Sequence, residues 1–248
     1  MISSIEKMTK ILDLFSHDHP SLGNKEIAEW LGIHQSSAHH LIKTMCKEGI
    51  LIQDNNRRYR LGWKLLEWSN KVMYQEDIHN EAGPIIGNLV RHYKGTSHIG
   101  MFHEGEVRFV FKMTSCEIDP ISTYIGARKP AYCTSSGKVL LAYNPSFLRP
   151  TMAKGLLKQS NNTITSINDL ERELKLIRKQ GYAISDDEND HGLYGVAAPI
   201  YSYNGDVVAS VNFVGERHYM KVNLPHIIRS VVSSAQTISK QLGFISFA

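Results

Sequence analysis

Apolar residues at Ile5, Met8, Ile11, Leu12 and Phe15 recur at helical spacing, which predicts a one-faced helix over 5–15. The run His17-Asp18-His19-Pro20 ends it. Asn24 reads as the N-cap of a second helix, 25–31, with Ile27 and Leu31 inward. Gly32 supplies the left-handed residue that stops it, and Ile33 closes the cap. A third helix, 35–48, sets Ala38, Leu41, Ile42 and Met45 at i, i+3, i+4 and i+7 and stops at Gly49. Two short helices joined by a glycine turn make a helix–turn–helix. The β-prone run 50–52, the turn Asp54-Asn55-Asn56 and the return strand Tyr59-Arg60-Leu61 predict a wing behind it. Residues 62–75 are again helical in pattern and predict a linker.

Beyond residue 78 the pattern changes. A helix over 79–93 carries Ile85, Ile86, Leu89 and Val90, with Pro84 placed in its first turn. Strands are expected at 97–103 and 106–113, joined at Glu104-Gly105, with another near 121–125 and a loop over 126–133. Helices follow at 136–143 and 168–180. Strands 193–201 and 206–214 flank Asn204-Gly205, a type I′ hairpin signal, and a last helix spans 224–242. Hairpin strands with segregated helices predict an α+β fold with an antiparallel sheet, not a doubly wound one. The expected division is 1–62 for the winged helix–turn–helix, 63–77 for the linker helix and 78–248 for the second domain.

Composition narrows the function classes. Of 248 residues, 42% are hydrophobic, enough for a real core. No apolar run approaches the roughly 18 residues that span a bilayer, and residues 1–7 hold no signal-peptide hydrophobic stretch. The expectation is a soluble, cytoplasmic protein without a membrane partner. Cys46, Cys116 and Cys133 are odd in number and far apart, so they read as reduced and mostly buried, not as a disulfide framework. The net charge is +4, and much of it sits between residues 30 and 60, where Lys43, Lys47, Arg57, Arg58 and Arg60 face only Glu48 and Asp54.

Four segments in register resemble the IclR family of bacterial regulators. In the N-terminal half these are 21–33 with 36–42, then Tyr59-Arg60-Leu61-Gly62. In the C-terminal half they are 125–142 and 180–188, followed by Gly192, 196–200 and 207–214. The resemblance implies a winged helix–turn–helix, a linker helix and a GAF-like effector domain. It also implies a dimer or tetramer on a palindromic operator, and a metabolite, often an organic acid, that alters operator affinity. Its ligand contacts map to Ser135, Ser136, Ser185, Gly195, Ser210 and Asn212, and an acidic pair matches Asp187 and Glu188, of which Asp187 is taken as a ligand residue. His40 stands where the family often has Arg, and Ser185 where some relatives carry an acidic residue.

On the third helix the outward face comprises Ser36, Ser37, His40, Lys43 and Lys47, flanked by Gln35 and His39. The second helix of such a motif enters the major groove. Gln35 can pair with adenine, and serine or neutral histidine can read donors or acceptors. Lys43 and Lys47 suit phosphates, as do Arg57, Arg58 and Arg60 at the wing, with Tyr59 and Leu61 expected inward. For His39, packing or phosphate contact weighs as much as base reading. In the second domain, 134–138 opens a helix whose free N–H groups favour a carboxylate, although a serine N-cap alone would produce the same pattern. Tyr124, Ile125 and Tyr132 would supply an apolar wall.

Other classes fit less well. Residues 135–138 lack the upstream glycine of a P-loop, and there is no Gly-x-Ser-x-Gly elbow, so no enzyme is indicated. Cys133 as a nucleophile is outweighed by a structural role. His17, His19, His34, His39 and His40 do not form a ligand spacing that stands out among 12 histidines, so no metal and no cofactor are expected. A pure protein-interaction module would leave the wing arginines unexplained.

Overall fold

The computed structural model describes residues 3–16, 18–74, 78–116 and 121–245, so His17 lies outside the described residues. The chain divides into two units, Met1–Glu76 and Asp77–Ala248.

The first unit opens with helices α1 (Ser3–Asp13), α2 (Asn24–Leu31) and α3 (Gln35–Lys47). Their inward residues Ile11, Ile27, Ala38, Ile42 and Met45 form one core with Leu51 and Tyr59 of the wing. Ile5 lies outside that core and is exposed. Asn24 is the first residue of α2, and Gly23 is its cap. The Glu26 carboxylate accepts the Gly23 N–H instead, which leaves the Asn24 amide to donate to Gln35 O. Gly32 adopts φ 64°, and Ile33 N–H bonds back to Ala28 O, closing the turn between α2 and α3. Strands β1 (Leu51–Gln53) and β2 (Tyr59–Leu61) pair antiparallel, and Leu22 bridges to Tyr59 along the free edge of β2. Helix α4 (Lys64–Tyr74) follows.

The second unit begins with α5 (Ile78–His92), in which Pro84 sits in the helix interior, beyond the first turn where the sequence placed it. Its sheet contains β3 (Thr96–His103), β4 (Glu106–Thr114), β5 (Arg128–Pro130), β6 (Ala183–Asp186), β7 (Leu193–Tyr201) and β8 (Val207–Glu216). The order is β5-β4-β3-β8-β7-β6, and every neighbouring pair is antiparallel. Between β5 and β6 lie α6 (Ser135–Tyr143), α7 (Leu148–Ala153) and α8 (Ile167–Gln180). After β8 come α9 (Arg217–Val222) and α10 (Leu224–Gln241). Period-two alternation gives the sheet two buried faces. Ile99, Val196, Val211 and Phe213 pack under α5 and α10. Val107, Phe109 and Ala197 pack under α6 and α8.

Several expectations need correction. Residues 121–127 form a loop, and the strand begins only at Arg128, because the 121–123 backbone is tied to side chains and not to a ladder. Lys112 Nζ donates to Ile121 O and Thr123 O. The β7–β8 turn is not type I′: Gly205 has φ 86°, Asn204 is not left-handed, and Gly205 N–H bonds to Ser202 O, with a register shift after Ile200. The I′ turn falls at Glu104-Gly105 instead, with φ 50° and 85°. Leu61 is exposed, whereas Tyr59 is buried as expected. Cys116 is exposed.

Helix α6 is apolar almost all round, and Ser135–Ala142 is wholly buried. It needs close approach at its first turn: a Cβ on Gly137 would lie 2.2 Å from Ala131 O and 2.4 Å from Ala131 Cα. Gly137→Ala is therefore expected to destabilise the second unit by about 1–3 kcal/mol in urea unfolding. Gly87→Ala in α5, where a Cβ meets only Met113 Sδ at 3.7 Å, should stabilise it by roughly 0.5–1 kcal/mol. Equal midpoints for the two variants would contradict this packing.

Candidate functional site

The first candidate is the solvent face of α3. Ala38, Ile42 and Met45 turn inward, which leaves Gln35, Ser36, Ser37, His39, His40, Lys43 and Lys47 exposed along the other side. His39 and His40 sit edge to face, 6.4 Å between ring centroids. The wing turn is built by Asp54: its Oδ1 accepts from Asn56 N and Arg58 N, and Arg57 takes φ 58° at the tip. Arg57 and Arg60 project into solvent.

Arg58 does something else. Its Nε donates to Ser21 Oγ at 3.1 Å, and its Nη2 donates to Ser21 O at 2.8 Å and pairs with Glu26 Oε2 at 3.0 Å. The guanidinium ties the wing to the start of α2, and so is not free for a phosphate. Chiefly the Gly23 N–H, with help from Arg58, holds the Glu26 carboxyl below its usual range.

The second candidate is a cavity in the other unit, about 480 Å³ of non-atom space with its open mouth included. Its wall is formed by the start of α6, the 188–190 loop, the 121–123 segment and residues of all six strands, β3 to β8. Helix α6 leaves its first amides unpaired by construction. Thr134 caps it: its hydroxyl accepts from Gly137 N, and its carbonyl accepts from Lys138 N. Among the described residues, Ser135 N–H and Ser136 N–H have no partner. The Ser135 hydroxyl, which lines the cavity, is likewise unpartnered, although the residue is 2% exposed.

Beside it, Asn212 Oδ1 accepts from His98 N at 2.9 Å, so its Nδ2 points the other way and is unpartnered among the described residues. The same oxygen lies 3.0 Å from His98 Nδ1, which must therefore donate. His98 Nε2 is left to accept from Thr123 Oγ1 at 2.8 Å. The ring stacks on Phe109, 4.4 Å between centroids. Burial is the main cause that lowers the His98 pKa to about 4, so the ring is neutral at physiological pH.

Charged groups lie in the wall, Lys129, Glu188 and Asp190, and behind it, Lys138 and Glu173. Lys129 pairs with Asp190 at 2.9 Å. Lys138, 1% exposed, donates to Glu188 Oε1 at 2.6 Å and Glu173 Oε1 at 3.0 Å. Burial raises the Glu188 pKa against the pull of Lys138. Behind the cavity, burial pushes the Cys133 thiol up to about 12, so it is no thiolate nucleophile.

The structure brings Ser135, Ser185, Gly195 and Asn212 together in this cavity. Ser136 is buried on the same turn, over Gly100. Ser210 is spent on Gly100 O. Asp187 turns back to accept from Gly192 N, closing the 187–192 loop. Tyr132 donates to Leu157 O on the α8 side, and Tyr124 and Ile125 are exposed outside the wall; the apolar wall is made instead by Phe109, Ile121, Leu193 and Val214. Sequence reasoning missed His98, Lys129, Lys138 and Asp190, and of the acidic pair it took Asp187, whereas Glu188 is the one that lines the cavity. One signal was available: a lysine directly before the apolar run 139–142 needs a carboxylate, and Asp186-Asp187-Glu188 offers several. No cluster suited to a metal ion occurs among the described residues, and no helix among them is long and apolar enough to cross a membrane.

Comparison with known proteins covers both units. Residues 4–55 match the IclR helix-turn-helix domain, and residues 70–240 match the bacterial transcriptional regulator IclR C-terminal domain. The chain is 30% identical over 215 residues to the HTH-type transcriptional regulator XynR of Escherichia coli, covering 86% of this chain and 85% of XynR. The crystal structure of Thermotoga maritima IclR superposes with a TM-score of 0.84 at 27% identity, covering 98% of this chain and all of the other. An IclR homologue from Microbacterium hydrocarbonoxydans, solved with 4-hydroxybenzoate, has the same fold, with a TM-score of 0.86 at 21% identity over 96% of this chain and 98% of that one.

A buried neutral histidine leaves a signature in stability. With its folded pKa lowered to about 4 from 6.5, His98 binds a proton more readily in the unfolded chain. Its contribution is present above pH 6.5 and is lost as pH falls towards 4. The stability gap between wild type and His98→Asn should narrow by up to about 1.4 kcal/mol per pH unit in that window. A gap independent of pH would contradict a buried neutral ring.

Proposed function

The chain belongs to the IclR family of DNA-binding transcriptional regulators, and we propose that it is a repressor whose hold on a short palindromic operator is set by a small carboxylate in the C-terminal cavity. The observation that carries the ligand reading is the buried first turn of α6. The Ser135 and Ser136 amides and the Ser135 hydroxyl on that turn, and the Asn212 amide on β8 beside it, have no partner among the described residues. Together with the positive end of the helix dipole they suit an anion. The Microbacterium homologue was solved with a carboxylic acid, 4-hydroxybenzoate, in keeping with this choice. The family is one of regulators, not enzymes, and the ligand's role here is to be sensed.

On DNA, Gln35, Ser36, Ser37 and His40 would face base edges, while Lys43, Lys47, Arg57 and Arg60 would take phosphates. Arg58 braces the wing, and His39 would serve either group. Such a helix reads few base pairs, so a two-fold homo-oligomer is part of the proposal. The exposed apolar row Trp63, Leu66, Trp68 and Val72 on and before α4 supports it. The site of action would be the cytoplasm.

Capture of genomic fragments at moderate salt should enrich one short palindrome. Lys43→Ala should weaken binding to all sequences alike and reduce the salt slope by about one. Gln35→Ala should instead relax preference at one position, by roughly 1–3 kcal/mol. Salt-sensitive binding with no enriched motif would overturn the operator reading.

A further inference from the structure

The first turn of α6 accounts for one end of a ligand. Another part of the wall holds a group that the fold leaves half-satisfied. Glu188 is 8% exposed and lines the cavity. Its Oε1 accepts from Lys138 at 2.6 Å, but no hydrogen bond of ordinary geometry reaches the buried Oε2 among the described residues. A buried carboxylate oxygen without a donor is costly, and native folds keep one mainly where something else completes it.

We propose that Glu188 is a specificity residue of the cavity, and that the native ligand is a hydroxy acid whose carboxylate meets the start of α6 while a hydroxyl meets Glu188 Oε2. This rests on the carboxylate reading above and adds a second point of recognition. A hydroxyl suits the site because it donates to Oε2 without burying a further charge, and the charges around it are already matched: Lys129 pairs with Asp190, and Lys138 with Glu188 and Glu173. Phe109, Leu193 and Val214 provide apolar surface for the carbon skeleton.

The test uses the full-length protein and calorimetric titration with matched probes. The aliphatic set is butanoate, its 2-, 3- and 4-hydroxy derivatives and 3-aminobutanoate. The aromatic set is benzoate, 4-hydroxybenzoate and 4-aminobenzoate. Butane-1,3-diol and 4-hydroxybenzamide keep the hydroxyl without the carboxylate. At least one hydroxy acid should bind about tenfold or more tightly than its deoxy parent, because a site built to bond a hydroxyl rejects the analogue lacking it. Glu188→Leu should abolish that preference, bringing the ratio of hydroxy-acid to deoxy-acid affinity to about one, whatever its effect on the affinity of either acid. Glu188→Gln, which preserves shape, should retain part of the preference and serves if the leucine variant fails to fold.

Equal binding of hydroxy and deoxy acids by the wild type overturns the proposal but spares the carboxylate reading. So does tighter binding of the amino acids. A hydroxyl preference that survives unchanged in both variants removes Glu188 from the role. Binding of the diol or the amide as tightly as the acid overturns the carboxylate reading while leaving the hydroxyl contact standing. A panel in which no acid binds overturns both.

Discussion

A helix that starts inside a protein cannot satisfy its own first amides, and much of the second unit follows from where α6 starts. Thr134 caps one N–H with its hydroxyl. Ser135 and Ser136 present theirs to the interior, at a turn pressed against the Ala131 backbone through Gly137. Close approach also shapes the sheet beneath. A Cβ on Gly195 would fall 2.8 Å from Ser135 Oγ, and one on Gly100 would fall 3.3 Å from Ser136 Cβ. The strands come so close because they carry no side chain there. The space that remains beside that turn is the cavity.

Charge burial follows from the same placement. Lys138 follows directly on that turn, and a buried ammonium needs partners with good geometry. Glu173 of α8 and Glu188 of the loop after β6 provide them. The ion cluster therefore joins α6, α8 and the 187–192 loop, and that loop also forms part of the cavity wall. A ligand that engages the start of α6 thus touches elements already linked to one another. The first unit uses charge in a similar way: Arg58, Glu26 and Ser21 lock the wing against α2, while Lys43, Lys47, Arg57 and Arg60 stay exposed on α3 and at the wing.

Helices α2, α3 and α8 were legible because their apolar spacing is regular and each is followed by a left-handed glycine, Gly32, Gly49 and Gly181, whereas α7 and α9, six residues each, are too short to carry such a pattern. The solvent face of α3 was legible for the same reason, since burying Ala38, Ile42 and Met45 decides what faces out. Arg58 was misjudged because composition shows charge but not the Ser21 and Glu26 partners 37 and 32 residues away. The cavity wall was read in part. Ser135 and Asn212 came from the motif-bearing segments, but Tyr124 and Ile125 were chosen for type and nearness in sequence. The wall is made by pairings across the sheet, such as His98 with Asn212, that no local pattern encodes. Asp187 and Glu188 are neighbours of the same type, yet a left-handed backbone at Asp187, φ 58°, turns one into a loop clasp and leaves the other in the wall.

The central claim is that the first turn of α6 is where the protein senses its ligand. The most direct measurement is of the amide resonances of Ser135 and Ser136 in isotopically labelled protein, during titration with whichever carboxylate releases it from its operator. The account predicts that both N–H signals move downfield together, saturating at the concentration that releases DNA. Release of DNA with those two resonances unmoved, while others shift elsewhere, would contradict it.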